Sequence, residues 1–244
     1  MTTALVTGAT RGLGLATSRA LARTGARVLI AGRARTVTEQ VVDGLRQEGL
    51  DAHAVQLDVT SPDSIQAAVK QVERRHGHID VLVNNAGILP EATDATEHQF
   101  GDPYLFRTTF ETNLFGAVAV TEAFLPLLRR STAGRIVNVS STMGSLHDQE
   151  NPDSAYYQTV VPAYQSSKAA LNSVTISLAK TLADTHIKVT SVCPGFVQTD
   201  LTPFSREVAP TTAEQAARVV VTAATLPADA KSGTFIDSDG LVAW

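Results

Sequence analysis

Cysteine, long apolar runs and an excess of basic charge are all scarce or missing in this chain. Cys193 is its only cysteine, so no internal disulfide can form, and we expect a reducing compartment, the cytoplasm. The best apolar run, 117–128, contains Glu122 and Pro126. It is shorter than the roughly 20 residues that span a bilayer, so no membrane contact is predicted. The first residues also lack the charged and apolar regions of a signal peptide.

The charge balance argues against nucleic acid as a partner. The 20 lysines and arginines are outnumbered by 24 aspartates and glutamates, which leaves a net charge of −4 at pH 7. Proteins that bind nucleic acid carry a basic surface, and this composition provides none. What remains is an ordinary globular composition whose 244 residues suit one large α/β domain or two small ones.

A glycine-rich turn lies near the start of the chain. The β-type run Thr3–Thr7 leads directly into GATRGLG at 8–14, and 15–24 has the pattern of a helix. Strand, glycine turn and helix in this order are typical of dinucleotide sites, because glycines let the backbone approach a pyrophosphate and a helix N-terminus offers free N–H groups. A simple turn is the alternative, but both flanks favour nucleotide binding.

A second pattern pairs a tyrosine with a lysine. Apolar residues at helical spacing predict a helix that begins near Pro162 and carries Tyr164 and Lys168 four positions apart, on the same face. A free tyrosine has a pKa of about 10, and a nearby cation is expected to lower it. The pair can then exchange a proton with a carbonyl or alcohol oxygen. Taken alone, such a pair is more often the rim of an amphipathic helix.

Together, T-G-x-x-x-G-x-G at 7–14 and Y-x-x-x-K at 164–168 resemble the short-chain dehydrogenase/reductase family. Within it, the insertion before Tyr164, the pair Arg11 and Arg33 and the end of the chain resemble the NADPH-dependent carbonyl reductases. The resemblance implies one domain over residues 1–244. Its expected fold is α/β, a Rossmann-type doubly wound parallel sheet of about seven strands with helices on both faces. The alternation of strand and helix patterns along the chain favours the same fold class.

The sequence patterns place these elements as follows. Strands are predicted at 3–7, 28–32, 52–57, 79–83, 135–139, 187–192 and 232–236. Helices are predicted at 15–24, 38–48, 61–75, 108–130, 162–179 and 212–226. The segment 89–107 is expected to be irregular, and 202–212 is a candidate lid. The segment 147–161 is an insertion relative to many family members, and we expect it to wall the substrate pocket or to cover an assembly face.

Two arginines indicate which dinucleotide binds. In such folds an acidic residue after the second strand binds a ribose 2′-hydroxyl, whereas an arginine accommodates a 2′-phosphate. This chain has Arg33 there, no acidic residue before Glu39, and Arg11 within the glycine turn. The expected cofactor is therefore NADP, as NADPH. The alternative is that both arginines are ordinary surface charge.

The remaining site residues come from the resemblance. Asp58 is expected to bind the adenine amino group, and the stretch from Pro194 to Thr199 is expected to hold the nicotinamide carboxamide and the diphosphate. The full set expected to bind the cofactor is Gly8, Thr10, Arg11, Gly12, Leu13, Gly14, Arg33, Asp58, Val59, Asn85, Ala86, Gly87, Tyr164, Lys168, Pro194, Gly195, Val197 and Thr199.

Four residues match the catalytic positions of the family: Asn113, Ser141, Tyr164 and Lys168. By the resemblance, Ser141 polarises the carbonyl, Tyr164 donates the proton, Lys168 tunes the tyrosine and Asn113 anchors a water near the lysine. From the residues alone, Asn113 has a plain alternative, a solvent-facing place on its helix. No metal is expected, since His76 and His78 precede a strand, at the sheet edge away from the ligands.

The sequence thus predicts an NADPH-dependent reductase of a ketone, aldehyde or quinone. Leu146, Tyr156, Phe196 and Phe204 favour a small hydrophobic substrate. Two alternatives stay open: a secondary-alcohol dehydrogenase that works in the oxidative direction, and a nucleotide-sensing protein without catalysis. The sequence leaves the choice between a homodimer and a monomer open as well.

Overall fold

The computed structural model describes the whole chain, Met1–Trp244, and its centre is one sheet of seven parallel strands. The strands are β1 (Thr3–Thr7), β2 (Arg27–Gly32), β3 (Ala52–Gln56), β4 (Val81–Asn84), β5 (Arg135–Val139), β6 (Lys188–Val192) and β7 (Thr234–Ile236). Their order across the sheet is β3-β2-β1-β4-β5-β6-β7. The sheet grows outward from β1 in both directions, which is the doubly wound topology, so the predicted fold class and strand number are confirmed.

Nine α-helices connect and cover the strands. They are α1 (Gly12–Arg23), α2 (Arg35–Gln47), α3 (Pro62–His76), α4 (Pro103–Phe110), α5 (Ala117–Leu128), α6 (Leu146–Glu150), α7 (Pro162–Thr181), α8 (Ser205–Val208) and α9 (Ala213–Ala224). Short 3₁₀ turns lie at Pro90–Thr93 and Thr142–Gly144. None of the helices is long and apolar enough to cross a membrane.

Two apolar cores lie on opposite faces of the sheet. Successive residues of a strand point to opposite faces, and accordingly Val6 packs into the core that contains Leu21 of α1 and Val220 of α9. Leu5 packs into the other core, with Phe124 of α5. Because both faces are covered, β1 is buried along its whole length. This arrangement leaves the strand ends as the place for a ligand.

The predicted helix 108–130 is in error at its start. Helix α4 begins at Pro103, within the segment expected to be irregular. The side chain of Asp102 accepts a hydrogen bond from the backbone N–H of Tyr104 at 2.8 Å, and proline occupies the first helical position. A capped end followed by proline favours helix initiation. Between α4 and α5 the chain forms a π-helical turn at Glu111–Gly116.

The insertion and the candidate lid also contain short helices. Ser145 caps α6, at the start of the insertion, by accepting a hydrogen bond from the N–H of Asp148 at 3.1 Å. Turns then continue to α7. Within 202–212, α8 spans four residues. The hydroxyl of its first residue, Ser205, forms a hydrogen bond with the hydroxyl of Thr202. In the chain, the two segments follow the carboxyl ends of β5 and β6 respectively.

Candidate active site

The glycine turn lies at the carboxyl end of β1 and continues directly into α1. Gly8 and Gly12 have φ values of 61° and 54°, a left-handed backbone that favours glycine. At Gly14 the reason for glycine is different, because a side chain would clash. A Cβ there would lie 2.5 Å from Nδ2 of Asn85 and 2.6 Å from the carbonyl oxygen of Gly8. The turn is therefore built for close backbone packing.

The first turn of α1 has free donors for an anion. Helix α1 has no side-chain cap and no acidic residue in its first turn. The backbone N–H groups of Gly12, Leu13 and Gly14 make no hydrogen bond within the chain. Unsatisfied N–H groups and the positive end of the helix dipole favour a phosphate. The residues present therefore fit the pyrophosphate of a dinucleotide.

The segment after β4 is fastened to β1. The Thr7 hydroxyl accepts hydrogen bonds from the N–H groups of Asn85 and Ala86, both at 3.0 Å. The Asn85 side chain donates to the Thr7 carbonyl at 2.8 Å. A Cβ on Gly87 would lie 3.4 Å from Oδ1 of Asn113 and 3.6 Å from Nζ of Lys168. Gly87 therefore keeps the space open beside two catalytic candidates.

The two arginines have different surroundings. Arg33 is exposed just beyond β2, and its side chain has no ion pair or hydrogen bond. Arg11 forms an ion pair of 2.9 Å with Asp200, and Asp200 also binds Arg206. Beside them, Gly32 leaves room for Thr10, because a Cβ on Gly32 would lie 2.5 Å from the Thr10 methyl. A phosphate at this edge would therefore compete with Asp200 for Arg11.

The next two cofactor candidates follow β3. Oδ1 of Asp58 accepts hydrogen bonds from the N–H and the hydroxyl of Thr60, at 3.0 Å and 2.8 Å. Oδ2 of Asp58 has no partner in the chain. Val59 is buried against Gly116, where a Cβ would lie 2.8 Å from Cγ2 of Val59. Asp58 thus has one carboxylate oxygen left for an amino group.

The stretch that begins at Pro194 turns back over the glycine turn. Gly195 has a φ of 80°, and the N–H of Gln198 donates to the carbonyl of Thr211 at 2.9 Å. Val197 is buried. A Cβ on Gly12 would lie 3.2 Å from the Thr199 methyl. Thr199 and the glycine turn are therefore in contact, and the structure brings together sequence motifs nearly two hundred residues apart.

Asn113 is buried in the π-helical turn, so its solvent-facing alternative is wrong. Its side-chain oxygen accepts from the N–H of Ile88 at 2.8 Å. Its side-chain nitrogen donates to the Ile88 carbonyl at 3.0 Å and to the Ser167 hydroxyl at 3.1 Å. These bonds join the segment after Gly87 to α7. Such turns are frequently found at functional sites, because they re-aim a side chain within a helix.

Ser141 follows β5 and faces the tyrosine. Its hydroxyl accepts from the N–H of Met143 at 3.1 Å and so caps the short 3₁₀ turn. The turn is packed against α7, since a Cβ on Gly144 would lie 2.6 Å from both the carbonyl carbon and Cβ of Lys168. Sγ of Cys193 accepts from the N–H of Thr142 at 3.3 Å. Ser141 is thus held from two directions.

Tyr164 and Lys168 lie on the buried face of α7. Nζ of Lys168 lies 5.5 Å from the centre of the Tyr164 ring and donates to the Val139 carbonyl at 2.8 Å. Both side chains are buried, with 7% and 4% of their surface exposed. The predicted helix and the predicted proximity of the two groups are confirmed. Because both side chains are buried, the alternative that they form the rim of an amphipathic helix is wrong.

The electrostatic effect on the tyrosine is the reverse of the expected one. Burial above all, and then Cys193 and Tyr156, raise the pKa of Tyr164, whereas the Ser141 hydroxyl lowers it. Burial also lowers the pKa of Lys168 to about 8. Removing both groups from water disfavours the charged forms, phenolate and ammonium. In this structure Tyr164 is therefore a neutral phenol at pH 7, able to donate a proton.

Two contacts at the site were not predicted from the sequence. The carboxylate of Glu91 accepts hydrogen bonds from the N–H groups of Ala163 and Tyr164, at 3.0 Å and 2.8 Å. Asp200 pairs with Arg11 and Arg206. Neither acidic residue belongs to a recognisable local motif, because each partner lies in a different element. No cluster of three or more His, Cys, Asp or Glu side chains is arranged to hold a metal ion.

Comparison with known proteins agrees with this geometry. The sequence model of the short chain dehydrogenase family matches residues 2–210. This chain belongs to that family. It is 38% identical over 228 residues to the short-chain dehydrogenase anuI of Penicillium roqueforti, covering 91% of this chain and 87% of that protein. Family membership makes the protein an oxidoreductase with a nicotinamide cofactor.

Solved structures of similar proteins include two with NADPH. Carbonyl reductase from chicken fatty liver, bound to NADPH, is 26% identical with a TM-score of 0.85, over 100% of this chain and 98% of that one. A variant of actinorhodin polyketide ketoreductase with NADPH is 30% identical with a TM-score of 0.80, over 97% of this chain and 95% of that one. The likeness in each case extends over nearly the whole of both chains.

Proposed function

We propose that this oxidoreductase uses NADPH to reduce the carbonyl of a small hydrophobic ketone, aldehyde or quinone to the alcohol. The observation that carries the proposal is the neutral, buried Tyr164 beside Lys168 and Ser141, next to a glycine turn that fits a pyrophosphate. Two solved relatives whose names describe a carbonyl reductase and a ketoreductase, both with NADPH, support the same reaction and cofactor.

In the proposed mechanism, Tyr164 donates its phenolic proton to the substrate oxygen. NADPH, held by the glycine turn and the start of α1, would supply the hydride for the carbonyl carbon. The Ser141 hydroxyl, held next to the phenol, donates to the same oxygen and stabilises its developing charge. A proton donor must be protonated when the substrate arrives, and Tyr164, whose pKa lies above the ordinary value of about 10, is protonated at neutral pH.

Lys168 and Asn113 support the tyrosine. Nζ of Lys168, fixed by the Val139 carbonyl, borders the space beside Gly87, where it can bind a ribose hydroxyl. Oδ1 of Asn113 borders the same space. With a pKa of about 8, Lys168 is close to the range where it can return a proton to the phenolate after turnover. These two residues are therefore proposed to complete the proton relay.

Selectivity for NADPH is proposed to come from Arg33 and Arg11. The guanidinium of Arg33 is free and lies where the adenosine ribose binds in such folds. A hydrogen bond between a guanidinium and a phosphate contributes about 1.5–3 kcal/mol. Because Arg11 is already paired with Asp200, Arg33 is proposed as the main determinant of the selectivity for NADPH.

The substrate pocket is proposed to be walled by the insertion 147–161 and by the candidate lid. Tyr156 of the insertion is close enough to Tyr164 to raise its pKa. The exposed side chains of Leu146 and Phe204, and the Phe196 ring whose centre lies 6.5 Å from that of Phe204, provide an apolar lining. An insertion that reaches the catalytic tyrosine supports the pocket role over the masking of an assembly face.

The proposal is tested by measuring NADPH oxidation with a ketone, an aldehyde, a quinone and a β-keto thioester. Tyr164→Phe should bind NADPH with the affinity of the wild type yet reduce none of them, because the ring is kept and the proton is lost. Retained turnover in Tyr164→Phe would refute the role of the phenol. Turnover only with NADP and secondary alcohols would instead favour the dehydrogenase alternative, and no turnover at all would favour the sensor.

A further inference from the structure

The start of α7 has no cap from its own sequence. Its first residue, Pro162, has no N–H, and Val161 before it provides no side-chain cap. The first turn contains no acidic residue. The N–H groups of Ala163 and Tyr164 therefore need partners from elsewhere, because the first N–H groups of a helix have none within it.

Glu91 provides both partners from 72 and 73 residues earlier in the chain. Its two carboxylate oxygens accept from Ala163 and Tyr164 separately, at 3.0 Å and 2.8 Å. A carboxylate at a helix N-terminus is also stabilised by the helix dipole. The Glu91 carboxylate is charged and uses both of its oxygens. Its two hydrogen bonds therefore fix the backbone at Tyr164 and at the residue before it.

The same short stretch of chain touches the rest of the site. Gly87 lies beside Nζ of Lys168, and the N–H and carbonyl of Ile88 are both bound by Asn113. Three residues later, Glu91 reaches the backbone of Tyr164. The segment 87–91 thus connects the region proposed for the nicotinamide to the residue proposed to donate the proton.

We propose that Glu91 is a positioning residue for the reaction: it sets the distance between the Tyr164 phenol and the substrate carbonyl. The inference builds on the proposed reductase function. An error of about 1 Å in the placement of a catalytic group can lower a rate by up to roughly a hundredfold. Loss of the Glu91 contacts should therefore slow catalysis much more than it weakens cofactor binding, because most of the residues proposed to bind the cofactor, the glycine turn among them, lie outside α7.

The test uses Glu91→Gln, whose side-chain amide can accept from one N–H but presents its own NH₂ to the other. We expect kcat at saturating NADPH and menadione or another accepted carbonyl to fall about tenfold or more. The Kd for NADPH, followed by its fluorescence, should stay within about twofold. Glu91→Asp, which keeps the charge on a shorter side chain, should recover part of the rate.

Two controls separate positioning from a loss of stability. Glu97→Gln removes an exposed carboxylate from the same loop, and kcat should not change. Ser61→Ala removes the cap of α3, where the Ser61 hydroxyl accepts from Ser64 at 3.3 Å. This loss should lower the Tm by about 2–4 °C and leave kcat unchanged.

A readout that needs no turnover is hydrogen–deuterium exchange in the free protein. Exchange in the peptide 159–170 should be faster in Glu91→Gln and unchanged in Glu97→Gln, because only the former frees amides of α7. If the wild type reduces no carbonyl, the proposed function fails, while exchange still reports whether Glu91 holds the helix.

The inference about Glu91 is overturned by either of two results with an active wild type. One is a kcat for Glu91→Gln within twofold of the wild type. The other is a loss of kcat that Ser61→Ala reproduces at the same fall in Tm. If Glu91→Gln does not fold, Glu91→Asp provides the test: faster exchange in the peptide 159–170 together with an unchanged kcat overturns the inference.

Discussion

The substitution Gly144→Ala tests how closely the 3₁₀ turn Thr142–Gly144, which Ser141 caps, packs against α7. An alanine there would place its Cβ 2.6 Å from the carbonyl carbon and Cβ of Lys168, and 2.8 Å from the Ala169 nitrogen. Ordinary contacts of a Cβ lie at 3.4–4 Å, so the turn and the helix must separate by roughly an ångström. Two of these three neighbours are backbone atoms, which cannot rotate away.

The magnitude follows from that displacement. Overpacking of this kind costs about 1–3 kcal/mol, which for a chain of this size lowers the Tm by roughly 2–12 °C. Moving Ser141 relative to Tyr164 by about an ångström should lower kcat by roughly ten- to a hundredfold. NADPH binding should persist, since the glycine turn lies at another strand.

The matched control for Gly144→Ala is Gly44→Ala. Gly44 lies in the exposed interior of α2, and a Cβ there meets nothing within 4 Å. The same chemical change should therefore stabilise the protein by about 0.5–1 kcal/mol, through higher helix propensity, and leave kcat alone. Thermal unfolding and steady-state kinetics measure both effects. A Gly144→Ala enzyme as stable and as active as the wild type would show that the packing argument is wrong.

Two further predictions concern charge. Arg33→Asp should reverse the preference for NADPH over NADH, changing the ratio of kcat/KM by tens-fold or more, because a guanidinium–phosphate bond is replaced by repulsion; an unchanged ratio would contradict the role of Arg33. Burial lowers the pKa of Lys168 from 10.5 to about 8. Between these values the unfolded chain holds the proton and the folded chain does not. This residue's share of the unfolding free energy therefore rises with pH there, by up to about 1.4 kcal/mol per pH unit. Denaturant unfolding of the wild type and Lys168→Met at several pH values measures this. Equal pH slopes for the two proteins would show that Lys168 does not titrate in this range.

Local patterns in the sequence predicted the fold class, the glycine turn and the Tyr164–Lys168 pair, whereas most other site positions were expected from the resemblance to the family. Most strands of the sheet are short, largely apolar runs, and both the glycine turn and Tyr164–Lys168 are contiguous motifs whose geometry follows from one strand–helix unit or one helix. The error at the start of α4 is local as well. Asp102 and Pro103 repeat the cap-and-proline pattern of Ser61 and Pro62, and this pattern favours a helix over the predicted irregular segment.

Only the tertiary structure determines the pKa shifts and contacts that depend on residues far apart in the sequence. The pKa of Tyr164 is raised because burial outweighs the lowering effect of the Ser141 hydroxyl, and burial is a property of the packed molecule. Glu91 caps α7 from more than seventy residues away, and Asp200 engages Arg11 from the far end of the chain. Spacing along a sequence carries no information about such contacts, since they form only when the sheet brings its strand ends to one edge.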